Sequence, residues 1–239
     1  MIIVEAQGLT KEYPEGRNVV RALRGVDLTM HEGEFIAVAG PSGSGKTTLL
    51  NIISGLDEAT AGSVRLDGVD ISSLPRAGLS RLRLEKIGFV FQSYNLIPVL
   101  TARENVEFVM LLQGIAPAER HRRAMEILER VGLAGLEHRR PPHLSGGQQQ
   151  RVAVARAMVT RPRLVLADEP TANLDSATGA QLLDLMRELN RTARMTFVFS
   201  THDPMVMDYS RRLIRLHDGV IISDEQKNGA NRCASDASC

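Results

Sequence analysis

Long apolar runs are missing from the sequence. No stretch approaches the roughly 20 apolar residues that cross a bilayer, and Phe35–Ala39 stops at a glycine-rich loop. The opening Met1-Ile2-Ile3-Val4-Glu5 lacks the basic start and extended apolar centre of a secretion signal, and it reads as a first strand. A cytoplasmic location is expected on both counts. Charge of one sign is equally scarce: 29 Lys+Arg against 28 Asp+Glu leave a net charge of +1. No bulk positive field points to nucleic acid as a partner. Aromatics make up only 4% of the chain and do not interleave with the arginine groups at Arg120, Arg122 and Arg123, at Arg139 and Arg140, and at Arg211 and Arg212. Those groups read as solvated helix and loop faces, with a lipid-facing role left open for some. Cysteine is confined to Cys233 and Cys239, without C-x-x-C spacing, so neither a metal site nor a structural bridge is assigned. The tail that holds them, 224–239, is nearly devoid of apolar residues and is expected to be disordered.

What the sequence does contain is concentrated in a few segments. Gly40-Pro41-Ser42-Gly43-Ser44-Gly45-Lys46-Thr47 fits the phosphate-loop pattern G-x-x-x-x-G-K-[ST]. It follows the apolar run Phe35–Ala39, of buried-strand type, and Thr48-Leu49-Leu50-Asn51-Ile52-Ile53 continues it as a helix. Gly43 and Gly45 let the backbone curl so that successive N–H groups face one anion, and the helix N-terminus adds partial positive charge. Lys46 is expected to reach the β- and γ-phosphates and Thr47 to ligate Mg²⁺, with Gly40 through Thr48 forming the cradle.

A second apolar run, Leu164-Val165-Leu166-Ala167, ends in the adjacent acids Asp168 and Glu169. Neighbouring side chains at a strand end point different ways, so the two can divide the work. Asp168 is expected to support Mg²⁺, and Glu169 to orient and deprotonate the attacking water. Without a phosphate loop, Asp-Glu-Pro would read simply as the start of a solvated loop.

Leu144-Ser145-Gly146-Gly147-Gln148 resembles the signature of ATP-binding-cassette (ABC) ATPases, and further segments then align with that family. Gln92, after Ile87–Phe91, is similar to the Q-loop glutamine, which also reaches Mg²⁺. Thr171-Ala172-Asn173-Leu174-Asp175 resembles the D-loop, with Asp175 its acid. His202 in Ser200-Thr201-His202-Asp203 resembles the switch histidine, and Tyr13 stands where the family stacks an aromatic on adenine. Each has a plainer reading: His202 as an isolated histidine, Gln92 as a strand-end polar group, and Glu12-Tyr13-Pro14 as turn chemistry. The resemblance covers about residues 1–223. Phe91–Pro98, Thr101–Val106 and Gln148–Arg151 place it nearest the lipoprotein-release and macrolide-export branch. It implies hydrolysis of ATP with Mg²⁺. It also implies a homodimer in which Ser145, Gly146, Gly147 and Gln148 of one copy cover the γ-phosphate held by the other. Finally, it implies a separate membrane subunit for export or extraction of a lipophilic or peptide-like substrate, placing the chain on the inner face of the membrane. A regulatory ATPase that signals through a membrane partner has the same motor residues.

Strand, helix and strand alternate from Phe35 onward, predicting an α/β fold: a P-loop NTPase core with a mostly parallel sheet, an antiparallel β subdomain and a helical insertion. The core is expected to span 1–92 and 160–223, and the helical subdomain 93–159. Alternation at Val26, Leu28 and Met30, continued by Ser63–Leu66, marks the β subdomain. Thr101 and Glu104 form a capping box, and Pro117 opens a second helix closed by Gly132. Leu213–Leu216 and Val220–Ile222 across Asp218-Gly219 read as a hairpin. Gln92 and Pro141-Pro142 are candidate hinges. Leu96, Ile97 and Leu100 either receive the membrane subunit or pack the helical subdomain.

Overall fold

The computed structural model describes residues 1–16 and 18–227; Cys233, Cys239 and the part of the expected disordered tail beyond Lys227 lie outside them. Two long strands, β1 (Ile2–Glu15) and β2 (Asn18–His31), pair antiparallel. Strand β3 (Phe35–Ala39) follows, then α1 (Lys46–Ile53). Strands β4 (Ala61–Leu66) and β5 (Val69–Asp70) return to β1, giving a four-stranded antiparallel sheet in the order β2-β1-β4-β5. Tyr13 sits inside β1 opposite Val20, so Glu12-Tyr13-Pro14 is a strand segment and not a turn.

Helix α2 (Arg76–Lys86) leads into β6 (Ile87–Val90), and α3 (Ala102–Leu112), α4 (Pro117–Arg130) and α5 (Gly146–Met158) make the helical region. Strand β7 (Leu164–Asp168), α6 (Ser176–Ala193), β8 (Thr196–Thr201), α7 (Pro204–Tyr209), β9 (Arg212–His217) and β10 (Val220–Gln226) complete the chain. The second sheet runs β10-β9-β3-β8-β7-β6, parallel except for the β10 edge.

Side-chain alternation in the parallel strands divides the interior in two. Phe35, Val165, Ala167, Phe197 and Phe199 join the core shared with α3, α4, α5 and α6. Ile36, Val38, Leu164, Leu166 and Val198 join the core under α1 and the antiparallel sheet. The parallel strands are therefore buried on both faces, which is why they read as continuous apolar runs.

Two readings need correction at the C-terminal end. Asp224, Glu225 and Gln226 belong to β10, paired with Ile214, Leu213 and Arg212. Their partner is charge and not apolar area: Arg212 donates to both Asp224 carboxylate oxygens, at 2.8 and 2.6 Å, and to Glu34 at 3.0 Å. Arg212 is correspondingly buried, and not part of a solvated face. The exposed Arg122 does behave as read, pairing along its own helix with Glu119 and Glu126.

The helical region is tied by two polar devices. Thr101 and Glu104 form both halves of the capping box. Buried Asn105 accepts from Ile97 N–H and donates to the carbonyls of Ile97, Leu100 and Thr101, pinning the segment before α3. Leu96, Ile97 and Leu100 are half-buried, with Leu96 against the helical core, while Val99, Phe108, Leu111 and Leu112 are the exposed apolar groups nearby.

Candidate functional site

Because β3, β8 and β7 are parallel neighbours, their carboxyl ends open on the same side, with Ala39 level with Thr201 and Asp168 level with Ser200. Ligands of open α/β sheets bind beyond such ends. A cavity of about 580 Å³ lies there, lined by phosphate-loop residues together with Gln92, Asp168, Glu169, Ser200 and His202. Its size suits a small-molecule ligand.

The loop between β3 and α1 is wound tightly. Gly45 takes φ 102°, and a Cβ at that position would stand 2.4 Å from the carbonyl oxygen of Ala22, so only glycine fits. Lys46 Nζ donates to the carbonyls of Gly40 and Pro41, both at 2.8 Å. Burial lowers its pKa from the ordinary lysine value, against the attraction of Glu169 and Asp168. A buried ammonium whose hydrogen bonds go to neutral carbonyls is a cation poised for an anion, which fits a phosphate.

Thr47 Oγ1 lies 3.5 and 3.4 Å from the two Asp168 oxygens. That separation is long for a hydroxyl–carboxylate bond and fits two oxygens that would share a cation. Glu169 adopts φ 45°, an uncommon value for a non-glycine residue. Its N–H donates to Ser200 O at 2.9 Å, and Thr201 Oγ1 donates to Oε2 at 3.3 Å. Glu169 Oε1 and His202 Nδ1 are 2.7 Å apart. The structure thus brings Lys46, Thr47, Gln92, Asp168, Glu169 and His202 around one cavity.

The signature stands apart. Ser145 caps α5, its Oγ accepting from Gln148 N–H while Gln148 Oε1 accepts from Ser145 N–H. Ser145 is exposed, and neither it nor Gly146, Gly147 or Gln148 lines the cavity. Asp175 likewise caps α6, accepting from Thr178 N–H at 3.0 Å and Thr178 Oγ1 at 2.6 Å. Tyr13 is not among the lining residues; its hydroxyl donates to Asp57 at 2.6 Å, while Val20, Arg21 and Ala22 line that side.

Some participants carry no motif of their own. Val20 reaches the cavity through its register opposite Tyr13. Asn173 donates to Gln92 O at 2.9 Å. Arg156 donates to the carbonyls of Asn95 and Tyr94, two consecutive residues with positive φ, at 2.6 and 2.9 Å.

A phosphate loop facing an acid pair at the carboxyl ends of parallel strands defines a nucleoside-triphosphate hydrolase of the P-loop class. Residues 23–172 match the family described as ABC transporter, and the chain belongs to that family as an ATP-binding, ATP-hydrolysing member. It is 48% identical over 222 residues to the macrolide export ATP-binding/permease protein MacB of Marinobacter nauticus. That match covers 93% of this chain but 34% of the relative, so the chain spans about a third of that protein. It is also 48% identical over 230 residues to the lipoprotein-releasing system ATP-binding protein LolD of Anaeromyxobacter dehalogenans, covering 95% of this chain and 96% of the relative. Among solved structures, the dimeric post-hydrolysis state of the ATP-binding cassette MJ0796 bound to ADP and Pi superposes with a TM-score of 0.88 at 43% identity, covering 95% of this chain and 100% of the other.

Proposed function

We propose that two copies of this chain close head to tail on two ATP molecules and thereby drive a separate membrane subunit that exports or extracts a lipophilic or peptide-like substrate. The carrying observation is that the exposed signature loop is excluded from the cavity of its own chain. A second copy supplies Ser145 and the α5 N-terminus to the open side of the phosphate, where backbone N–H groups favour an anion. The full-length match to LolD and the dimeric state of the MJ0796 cassette support this reading.

Thr47, Asp168 and Gln92 would hold Mg²⁺, which supplies charge neutralisation to the phosphate oxygens when bound. Lys46 binds the same oxygens. Glu169 takes the proton of the attacking water, and His202, 2.7 Å away, holds that carboxylate in place. Tyr13 stacks on the base. Loss of the shared phosphate contacts then reopens the pair.

We take residues 93–159 as a unit that turns about Gln92 and Pro141-Pro142 with the nucleotide state. Its exposed Val99, Phe108, Leu111 and Leu112 give the membrane subunit an apolar seat. Among the described residues no helix is long and apolar enough to cross a membrane. On this reading the pathway belongs to the membrane partner, which would hold this chain at the inner face.

The test uses Glu169→Gln. It should bind ATP, hydrolyse it about 10²–10⁴-fold more slowly, and sediment as a dimer with ATP but not with ADP. A variant that stays monomeric with ATP, alone and with the co-purified membrane partner, would overturn the reading.

A further inference from the structure

The adenine side of the site contains a charged cluster that neither the phosphate loop nor the acid pair uses. Tyr13 Oη donates to Asp57 Oδ2 at 2.6 Å. Lys11 Nζ donates to Asp57 Oδ1 and to the Glu58 carbonyl, both at 2.7 Å, and stands 4.8 Å from the centre of the Tyr13 ring. Asp57 is itself fixed, since its N–H and that of Leu56 donate to Asn51 O at the end of α1. The ring is therefore held along its edge by a carboxylate and on one face by a cation.

The electrostatics agree. Burial raises the Tyr13 hydroxyl pKa and the Asp57 bond adds to it, so the phenol stays a donor. Burial pushes the Asp57 carboxyl up, but bonds from Lys11 and Tyr13 outweigh it and hold the group below its ordinary value. The cluster also touches the cavity: the Tyr13 hydroxyl meets the side chain of Thr48, which lines the cavity, as does Val20 opposite Tyr13 in the sheet.

From this geometry we infer that Asp57 and Lys11 are positioning residues for base recognition. They lock the Tyr13 ring to the end of α1 so that one aromatic face is left for the adenine while Lys11 occupies the other. The inference rests on Tyr13 being the base-stacking residue. A preformed platform binds the base without ordering the ring at each encounter, and an aromatic contact of this kind contributes about 0.5–1.5 kcal/mol, or about two- to tenfold in affinity.

The experiment compares ATP with inorganic tripolyphosphate, which has no base, on the full chain by calorimetric titration and steady-state hydrolysis. Asp57→Asn, Lys11→Met and Tyr13→Phe should each raise the KM for ATP about two- to tenfold while kcat at saturating ATP and the tripolyphosphate Kd stay unchanged. Because all three loosen one device, the Tyr13→Phe/Asp57→Asn double variant should cost no more than either single variant. Parallel weakening of ATP and tripolyphosphate would show a merely structural role and overturn the inference. So would normal ATP binding by the Asp57 and Lys11 variants alongside a weakened Tyr13→Ala. If Tyr13→Ala itself binds ATP normally, the stacking reading falls and the inference with it.

Discussion

Gly147 of the signature lies against Thr178 of α6 so closely that a Cβ at 147 would stand 2.6 Å from Thr178 Cγ2. Thr178 has little room to turn aside, because its hydroxyl donates to Asp175 at 2.6 Å. The signature helix and the acid that caps α6 are thus one packed unit. Gly147→Ala favours a helix intrinsically, yet here it should displace Thr178 and cost about 1–3 kcal/mol of stability. ATP-dependent dimerisation should weaken with it, and Gly147→Ala/Thr178→Ser, which removes the offending methyl, should recover both. Thermal melts and light scattering would show a different relationship if the methyl deletion gives no rescue.

Lys46 presents the opposite balance, a residue whose charge costs the empty protein and, on the proposed function, serves the loaded one. Its folded pKa lies below the ordinary value because of burial. A lysine shifted down binds its proton less firmly when folded, so the charged form opposes folding below the folded pKa and the penalty disappears above the unfolded value. Lys46→Met should therefore melt no lower than the parent at neutral pH in the absence of nucleotide. Its ATP affinity should fall about 10- to 100-fold, corresponding to about 1.5–3 kcal/mol for a hydrogen bond to a charged group. A clear loss of nucleotide-free stability would mean that the ammonium supports the loop rather than waits for phosphate.

Arg156 holds the turn after Gln92. Tyr94 and Asn95 both adopt positive φ, at 59° and 49°, and Arg156 donates to both carbonyls. Burial lowers the guanidinium pKa, so the turn gains a cation that bonds only uncharged oxygen. Arg156→Met should release the turn and leave two carbonyls without their donor, at about 1–3 kcal/mol. Hydrogen exchange should rise at residues 93–96 while that of β3 and α1 stays constant. Unchanged exchange in that segment would remove Arg156 from this role.

The parts of the site written as consecutive residues were the legible ones. Gly40–Thr47 and Asp168-Glu169 are contiguous because a phosphate loop and a strand end are local structures. Buried parallel strands likewise announce themselves as apolar runs. Helix α2 did not, since Leu79 is its one buried residue and the rest of Arg76–Lys86 is polar or part-exposed. The lining by Val20 depends on strand register, and the β10 residues Asp224–Gln226 on a buried Arg212 twelve positions earlier than Asp224. Pairings over such separations leave no local pattern in composition or periodicity.

The capping box at the start of α3 gives a pH-dependent test confined to one element. Glu104 accepts from Thr101 N–H at 2.8 Å and from its hydroxyl at 2.9 Å. The backbone bond first, and the hydroxyl second, hold its pKa below the ordinary 4.5. A carboxyl depressed on folding contributes stability that is fully present above its unfolded value and is lost as pH falls through the folded one. Glu104→Gln keeps the shape of the box but not the charge. The parent should therefore melt higher than Glu104→Gln at neutral pH, with a constant gap down to about pH 5, and the two curves should converge below the unfolded value of 4.5. Solvent screening limits the charge contribution to about 0.5 kcal/mol, or about 1–2 °C in Tm for a chain of this size. A gap that persists unchanged to a pH below the folded-state pKa, located by following the Glu104 carboxyl resonance, would assign the effect of the substitution to packing, since a protonated Glu104 has no charge left to lose.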